Sequence, residues 1–432
     1  MTVLNPEHSD QHVLNDLREQ VLARVDPTTI GGLDANQLSL LIEDLIARIA
    51  DERLIPLNRF DQVNLAIAIV DDILGLGPLE PLVNDPTVSD ILINGPESVF
   101  VEKDGRLVPS EVRFRDEAHV LFIAQRIAAD VGRRVDESSP MLDARLKDGS
   151  RVNVLLRPLA VNGPYISIRK FSRRLADLRT LHRNGTLSEA MIEGLSLIAA
   201  SRLNVIISGG TGAGKTTLLN AMSYSIDPTE RVATIEDVAE IQFNQPHVLT
   251  METRPPNIEG KGEIIARDLV RNALRMRPDR IIVGEVRGGE AFDMMQAMNT
   301  GHNGSMTTIH ANSAYDAVHR VESMMQMAET NLPLTVIRSQ IFSAIDVVVH
   351  LERMRDGVRR VTAISQIDRF EDGEITMAPL WEFEFTGISD HGEIQGIYRS
   401  KLERPRFMHR LEYFGLGERF EEALKADSKS QS

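Results

Sequence analysis

The sequence predicts an α/β protein, with a nucleotide-binding domain on a parallel sheet preceded by a smaller α+β domain and a helical N-terminal region. Three observations carry that prediction. Strand-loop-helix units recur at "LNVIIS", "VATIED", "RIIVGE" and "GSMTTIH", the rhythm of a parallel sheet with helices on both faces. A complete phosphate-loop pattern, "GGTGAGKT", follows the first of those strands. Upstream, near Val88, apolar residues stop recurring at helical spacing and begin to alternate.

The bulk properties set limits. A chain of 432 residues can form two or three domains with their own cores. It has no cysteine, which removes disulfides, thiolate metal sites and Cys nucleophiles. A net charge of −15 argues against a surface coated for general nucleic-acid binding, while leaving room for a local basic channel. The apolar runs "LAIAIV" and "DVVVHL" are far shorter than the ~20 residues that span a bilayer. The N-terminal "MTVLNPEHSDQHVLND" lacks the basic-then-apolar layout of a signal peptide. A cytoplasmic chain is expected, reaching any membrane through a partner.

Taken in order, Val13, Leu14, Leu17, Val21, Leu22 and Val25 predict a first helix, which "PTTIGGLD" interrupts. Leu38, Leu41, Leu45, Ile46 and Ile49 predict a second. A third begins near Arg59 and stops at Gly75, Gly77 and Pro78. This helical region spans residues 1–77. The α+β domain, 78–171, has short strands at "SDILING", "SVFVEK" and "RLVPSEVRF", a helix at "EAHVLFIAQRIAADVG", and strands near "LDARL", "RVNVLLR" and "YISIRKF". Polar, turn-rich residues 172–187 form the expected linker. The nucleotide-binding domain occupies 188–424, and "KADSKSQS" at 425–432 is an expected disordered tail.

The chemistry concentrates in the third region. Glycines at 209, 210, 212 and 214 let the backbone turn successive N–H groups toward phosphate oxygens, and the following helix N-terminus adds positive potential. The contacting set is Gly209, Gly210, Thr211, Gly212, Ala213, Gly214, Lys215, Thr216 and Thr217. Lys215 reaches the β- and γ-phosphates of ATP, and the Thr216 hydroxyl ligates Mg²⁺. Hydrolysis needs a carboxylate at the end of a neighbouring strand. "DRIIVGEVRG" supplies Glu285 there, placed to hold the water shell of Mg²⁺ or to polarise the attacking water. "TIEDVAEI" offers Glu236, Asp237 and Glu240 after another apolar strand, and "GSMTTIHAN" offers His310. Spacing alone leaves these four open between catalytic groups and ordinary loop residues. Arg271 and Arg275 share a helix face, as an inter-subunit contact or a solvated surface, and Arg277 reads as solvated.

Taken together, the Walker A loop, the "TIEDVAE" acidic box, the "IIVGEVRGGEA" Walker B and the "GSMTTIHANSA" His box resemble the type II/type IV secretion system ATPase family (GspE/VirB-like). "GPLEPLVNDPTVSDILINGP", "LKDGSRVNVLL", "GPYISIRKF" and "RLNVIISGGTGAGKTTLLNAM" resemble its CpaF branch, the motor of Tad/Flp-type pilus assembly. The resemblance implies a RecA-like ATPase domain, a PAS-like domain before it, and a homohexameric ring. It casts Glu285 as catalytic glutamate, Glu236, Asp237 and Glu240 as the set containing the Asp-box acid, and His310 as a γ-phosphate sensor. Arg151 and Arg169 match arginines that the family brings to the nucleotide from its N-terminal domain, neutralising charge on the transferring phosphoryl group. The implied partners are inner-membrane platform proteins and, through them, pilin subunits, with peripheral attachment to the inner membrane. The absent cysteines exclude the four-cysteine zinc module of related motors. A type IV secretion ATPase, a nucleic-acid translocase with a RecA-like core, and an ATP-binding module without turnover are the alternatives.

Overall fold

The computed structural model describes residues 6–25, 33–103, 105–171, 176–254, 256, 261–401 and 404–428. They form two compact units, Met1–Ser172 and Arg173–Ser432.

The first unit opens with helices α1 (Pro6–Arg24), α2 (Ala35–Glu52) and α3 (Arg59–Leu74). Asp34 and Asn58 cap the second and third by accepting the backbone N–H groups of Gln37 and Asp61. Leu17, Val21, Leu38, Ile42, Ile46, Ile49 and Ile69 meet in one apolar cluster. Val13 and Leu22, which share the helical periodicity, lie outside this cluster and are 40% and 38% exposed.

After α4 (Glu80–Asn84) come β1 (Val88–Asn94), β2 (Val99–Lys103), β3 (Arg106–Pro109), α5 (Glu117–Asp130), β4 (Met141–Arg145), β5 (Arg151–Leu155) and β6 (Tyr165–Arg169). The strands make an antiparallel sheet in the order β3-β2-β1-β6-β5-β4. One face packs against α5 through Ile91, Ile93, Val152, Ile166, Val120 and Ile123. A buried polar cluster ties the helices to this module. Asp72 of α3 pairs with Arg18 of α1 and accepts from His119 of α5 at 3.1 Å. Burial pushes the His119 imidazole down to about 4, so it donates as a neutral ring.

The second unit runs α6 (Leu178–Arg183), α7 (Glu189–Ala200), β7 (Val205–Gly209), α8 (Lys215–Ser223), β8 (Val232–Glu236), β9 (Val248–Glu252), α9 (Ala266–Ala273) and β10 (Arg280–Val283). Then follow α10 (Glu290–Asn299), β11 (Met306–His310), α11 (Ala314–Ala328), α12 (Leu334–Ala344), β12 (Val347–Arg353), β13 (Arg359–Glu371), β14 (Glu374–Ile388), β15 (Ile394–Ser400), α13 (Met408–Tyr413) and α14 (Gly417–Ser428). The sheet order is β15-β14-β13-β12-β7-β11-β10-β8-β9. From β12 to β9 neighbours are parallel, and their alternate residues feed two cores. Val205 and Ile207 pack with α7, α8, α13 and α14 on one side, while Ile206 packs toward α9 to α12 on the other.

Three features depart from the sequence expectation. The sheet is mixed, because β13, β14 and β15 extend it as an antiparallel meander. Within the expected linker, Asp177 caps α6, and Leu178 and Leu181 are buried in the second unit's core, so that part of the stretch is structural. The C-terminal helix continues to Ser428, past the expected start of the tail at 425. Residues 429–432 lie outside the described residues.

Candidate nucleotide site

Strand β7 is buried at all five residues, paired on both edges with parallel neighbours and covered on both faces by the two cores. The register sets Gly209 beside His310 of β11 on one side and Leu351 of β12 on the other. At Gly209 the sheet approaches so closely that a Cβ would overlap the Leu351 carbonyl. Gly214, at φ +97°, is the N-cap of α8 and makes no side-chain cap hydrogen bond to it, and the N-terminus of a helix favours an anion. Lys215 folds back over the loop, its Nζ donating to the carbonyls of Gly209 and Gly210 at 3.0 Å each. Ala213 N–H closes the turn on Gly210 O at 3.3 Å. The loop is therefore already wound. Thr211 and Thr217 are exposed, while Gly210, Gly212, Lys215 and Thr216 are half-buried.

The acidic residues emerge at the carboxyl ends of the neighbouring parallel strands, where open α/β sheets place ligands. Glu236 ends β8 and is buried. Its carboxylate accepts the N–H groups of Glu240 at 2.9 Å and of Ile241 at 3.0 and 3.2 Å, folding the acidic box around itself. Burial pushes it up to about 7, with the Glu240 and Glu252 carboxylates adding to the rise against those hydrogen bonds. Asp237 projects outward and accepts from Thr253 Oγ1 at 3.2 Å. Glu285 lies two residues beyond β10, held by Arg287 at 2.5 Å, and the same guanidinium reaches Asp237 at 3.3 Å. Arg287 thus joins the Walker B glutamate to the acidic box. Glu240 is half-buried, and its own N–H serves Glu236.

Strand β11 supports this turn. Thr307 Oγ1 donates to Val283 O at 2.9 Å, Thr308 Oγ1 to Gly284 O at 2.6 Å, and Val286 N–H to Thr308 O at 2.9 Å. His310, half-buried, stands at the end of that strand. The fold therefore brings the phosphate loop, the Asp-box acids, Glu285 and His310 to one edge of one sheet. Arg151 and Arg169 belong to the first unit, directly opposite one another across β5 and β6. Arg145 is opposite Arg151, and Asp90 opposite Arg169. Arg271 of α9 is bound within its own chain, donating to Asp293 at 2.8 Å beside Arg267. Arg275 and Arg277 are exposed.

The residues present fit ATP with Mg²⁺. The wound loop, the N-terminus of α8 and Lys215 suit a polyphosphate. The Thr216 hydroxyl and the Glu285 and Asp237 carboxylates are hard oxygen donors of the kind that bind Mg²⁺ together with phosphate. Sequence reasoning missed four groups. Arg287, two residues after Glu285, was visible in "GEVRG". Glu252 faces Glu236 across β8 and β9. His350 is buried below the loop, its Nδ1 2.9 Å from Ser208 Oγ, and burial lowers its pKa. Arg359 donates to Gly212 O at 2.8 Å. The last three depend on strand order, which no local pattern announces.

A wound phosphate loop with carboxylates at adjacent strand ends defines a P-loop nucleotide-binding protein. Residues 72–373 match the type II/IV secretion system protein family, and the chain belongs to that family. It is 37% identical over 336 residues to a Mycobacterium tuberculosis protein named for conjugal transfer, spanning 76% of this chain and 95% of that one. It is 34% identical over 314 residues to the type IV secretion system protein PtlH of Bordetella pertussis, spanning 66% of this chain and 91% of the other. Among solved structures, the VirB11 ATPase of the Brucella suis type IV secretion system matches at 28% identity and a TM-score of 0.37, over 67% of this chain and 96% of that one. Among the described residues, no helix is long and apolar enough to cross a membrane.

Proposed function

We propose that this chain is an ATPase motor of the CpaF type, hydrolysing MgATP to drive assembly of a Tad/Flp-type pilus. On this reading the second unit is a RecA-like ATPase domain, residues 78–171 form a PAS-like domain, and six copies assemble into a ring. The ring works in the cytoplasm against an inner-membrane platform protein that handles pilin subunits. The observation that carries the ATPase reading is the Arg287 bridge between Glu285 and Asp237 beside a wound phosphate loop. Lys215 and the loop N–H groups bind phosphate, and Thr216 with Glu285 takes the metal. Mg²⁺, when bound, supplies charge neutralisation at the phosphates.

Glu285 is the carboxylate that orients the attacking water. Asp237 is the Asp-box acid available to the metal's water shell, because Glu236 is occupied by two backbone N–H groups. His310 lies at the strand end beside Gly209, where it reads the γ-phosphate. Arg151 and Arg169 compensate phosphate charge, as the family resemblance assigns. A type IV secretion motor is the second reading, favoured by the likeness to PtlH.

Purified protein is expected to hydrolyse ATP. Lys215→Ala is expected to abolish nucleotide binding, and Glu285→Gln to keep binding while losing turnover by about a hundredfold or more. Arg169→Ala is expected to slow turnover. Unchanged turnover in Lys215→Ala refutes the site. Stimulation by a polytopic membrane partner of a pilus system supports the motor reading, whereas stimulation by DNA alone favours a translocase.

A further inference from the structure

We propose that Arg359 is a positioning residue of the nucleotide site, holding the phosphate loop in its binding shape from the neighbouring β12–β13 hairpin. The inference rests on the ATPase reading above and adds an element that no motif of the sequence contains. Arg359 lies 144 residues beyond Lys215 (359 − 215), on a strand separated from β7 by β12.

The geometry is specific. Arg359 Nε donates to Gly212 O at 2.8 Å. In a planar trans peptide the carbonyl of one residue and the N–H of the next point in opposite directions. Here the Gly212 carbonyl turns outward to Arg359, and the Ala213 N–H turns back across the loop to Gly210 O. The Gly212–Ala213 peptide is thus pinned on both sides. Without the outer tie, that carbonyl can rotate toward the phosphate position, where its negative end opposes an anion. The Arg359 side chain also walls the loop, since a Cβ at Gly214 would lie 3.2 Å from its Cδ.

The arm that presents Arg359 is firm. Asp356 in the hairpin turn pairs with Arg360 at 2.9 Å and accepts the N–H of Val358 and of Ile394 in β15, each at 3.0 Å. Arg353 is opposite Arg359 in register.

The side-chain series separates direction from charge. Gln places its amide nitrogen at the position of Arg Nε, one bond beyond Cδ, and so keeps the donor without the charge. Lys keeps the charge but puts a methylene there. Binding of MgADP to the full chain is measured by calorimetry for wild type, Arg359→Gln, Arg359→Lys, Arg359→Ala and Lys215→Ala. Folding of each is checked by its urea midpoint. Arg359→Ala is expected to weaken binding on the order of ten- to a hundredfold, Arg359→Lys nearly as much, and Arg359→Gln several-fold less. Wild-type affinity in Arg359→Ala, or better retention by Lys than by Gln, overturns the proposal while leaving the nucleotide site intact. Failure of wild type to bind MgADP overturns both.

Discussion

Glu236 offers a quantitative test of how the acidic box is built. Its carboxyl is buried and pushed up from 4.5 to about 7. Between those values the native chain holds a proton that the unfolded chain has released, so stability falls as pH rises through that window and the full penalty is present above it. At about 1.4 kcal/mol for each pH unit, the penalty is about 3 kcal/mol. Glu236→Gln is neutral throughout and removes it. The amide oxygen can still accept from Glu240 and Ile241 as Oε1 does, but the 3.2 Å acceptor role of Oε2 toward Ile241 is lost, costing about 1 kcal/mol.

The variant is therefore expected to be more stable than wild type by about 2 kcal/mol at pH 8, and level with it or slightly weaker near pH 5. The chain has one tryptophan, Trp381, fully buried in the second unit. Its fluorescence during urea unfolding therefore reports that unit without contribution from the first. A wild-type-to-variant difference that is the same at pH 5 and pH 8 refutes the reasoning, because it means that Glu236 stays ionised in the fold.

The same fluorescence assay tests the buried pair at the start of β10. Arg280 is fully buried and bonds Glu230 at 2.5 and 2.7 Å. Glu230→Ala is expected to cost about 3–5 kcal/mol by leaving the guanidinium unpaired. Gly209→Ala drives a methyl into the Leu351 carbonyl and is expected to cost about 1–3 kcal/mol, with nucleotide affinity falling as the loop shifts; an unchanged urea midpoint contradicts the packing described. Arg287→Ala frees Glu285 from Asp237 and is expected to lower kcat roughly ten- to a hundredfold with MgADP affinity unchanged. Steady-state kinetics beside calorimetry separates these effects.

Much of this arrangement was legible in the sequence because its signals are local. The phosphate loop depends on nine consecutive residues, and each acidic box follows an apolar run that announces a buried strand. Val205 to Gly209 and Val232 to Glu236 are strands for the reason the sequence suggests: both their faces are covered. The antiparallel meander was missed because β13, β14 and β15 mix burial and exposure, and their pairing partners are set by turns at Gly357, Gly373 and Gly392. In the stretch 172–187, the six-residue α6 buries only Leu178 and Leu181, too few positions for a periodicity to stand out. Asp72 and His119 are 47 residues apart (119 − 72), so nothing in either helix alone signals the buried cluster they form.

The charge arrangement at the strand ends explains why the most informative residues were the hardest to read. Glu236, Asp237 and Glu285 converge on one edge of the sheet, and three ionised carboxylates there would repel one another. The fold treats them differently. Glu236 is withdrawn, satisfied by N–H groups and left half-protonated near neutrality. Asp237 is exposed and Glu285 half-buried, and they share Arg287, whose own pKa rises through its bond to Glu285. A carboxylate that acts on phosphate or its metal has to be reachable, and the two that share Arg287 are accessible whereas Glu236 is buried. On the proposed function that division gives the chemistry to Glu285 and Asp237 and the architecture to Glu236, a distinction made by burial and hydrogen bonding on three acids that look alike in sequence.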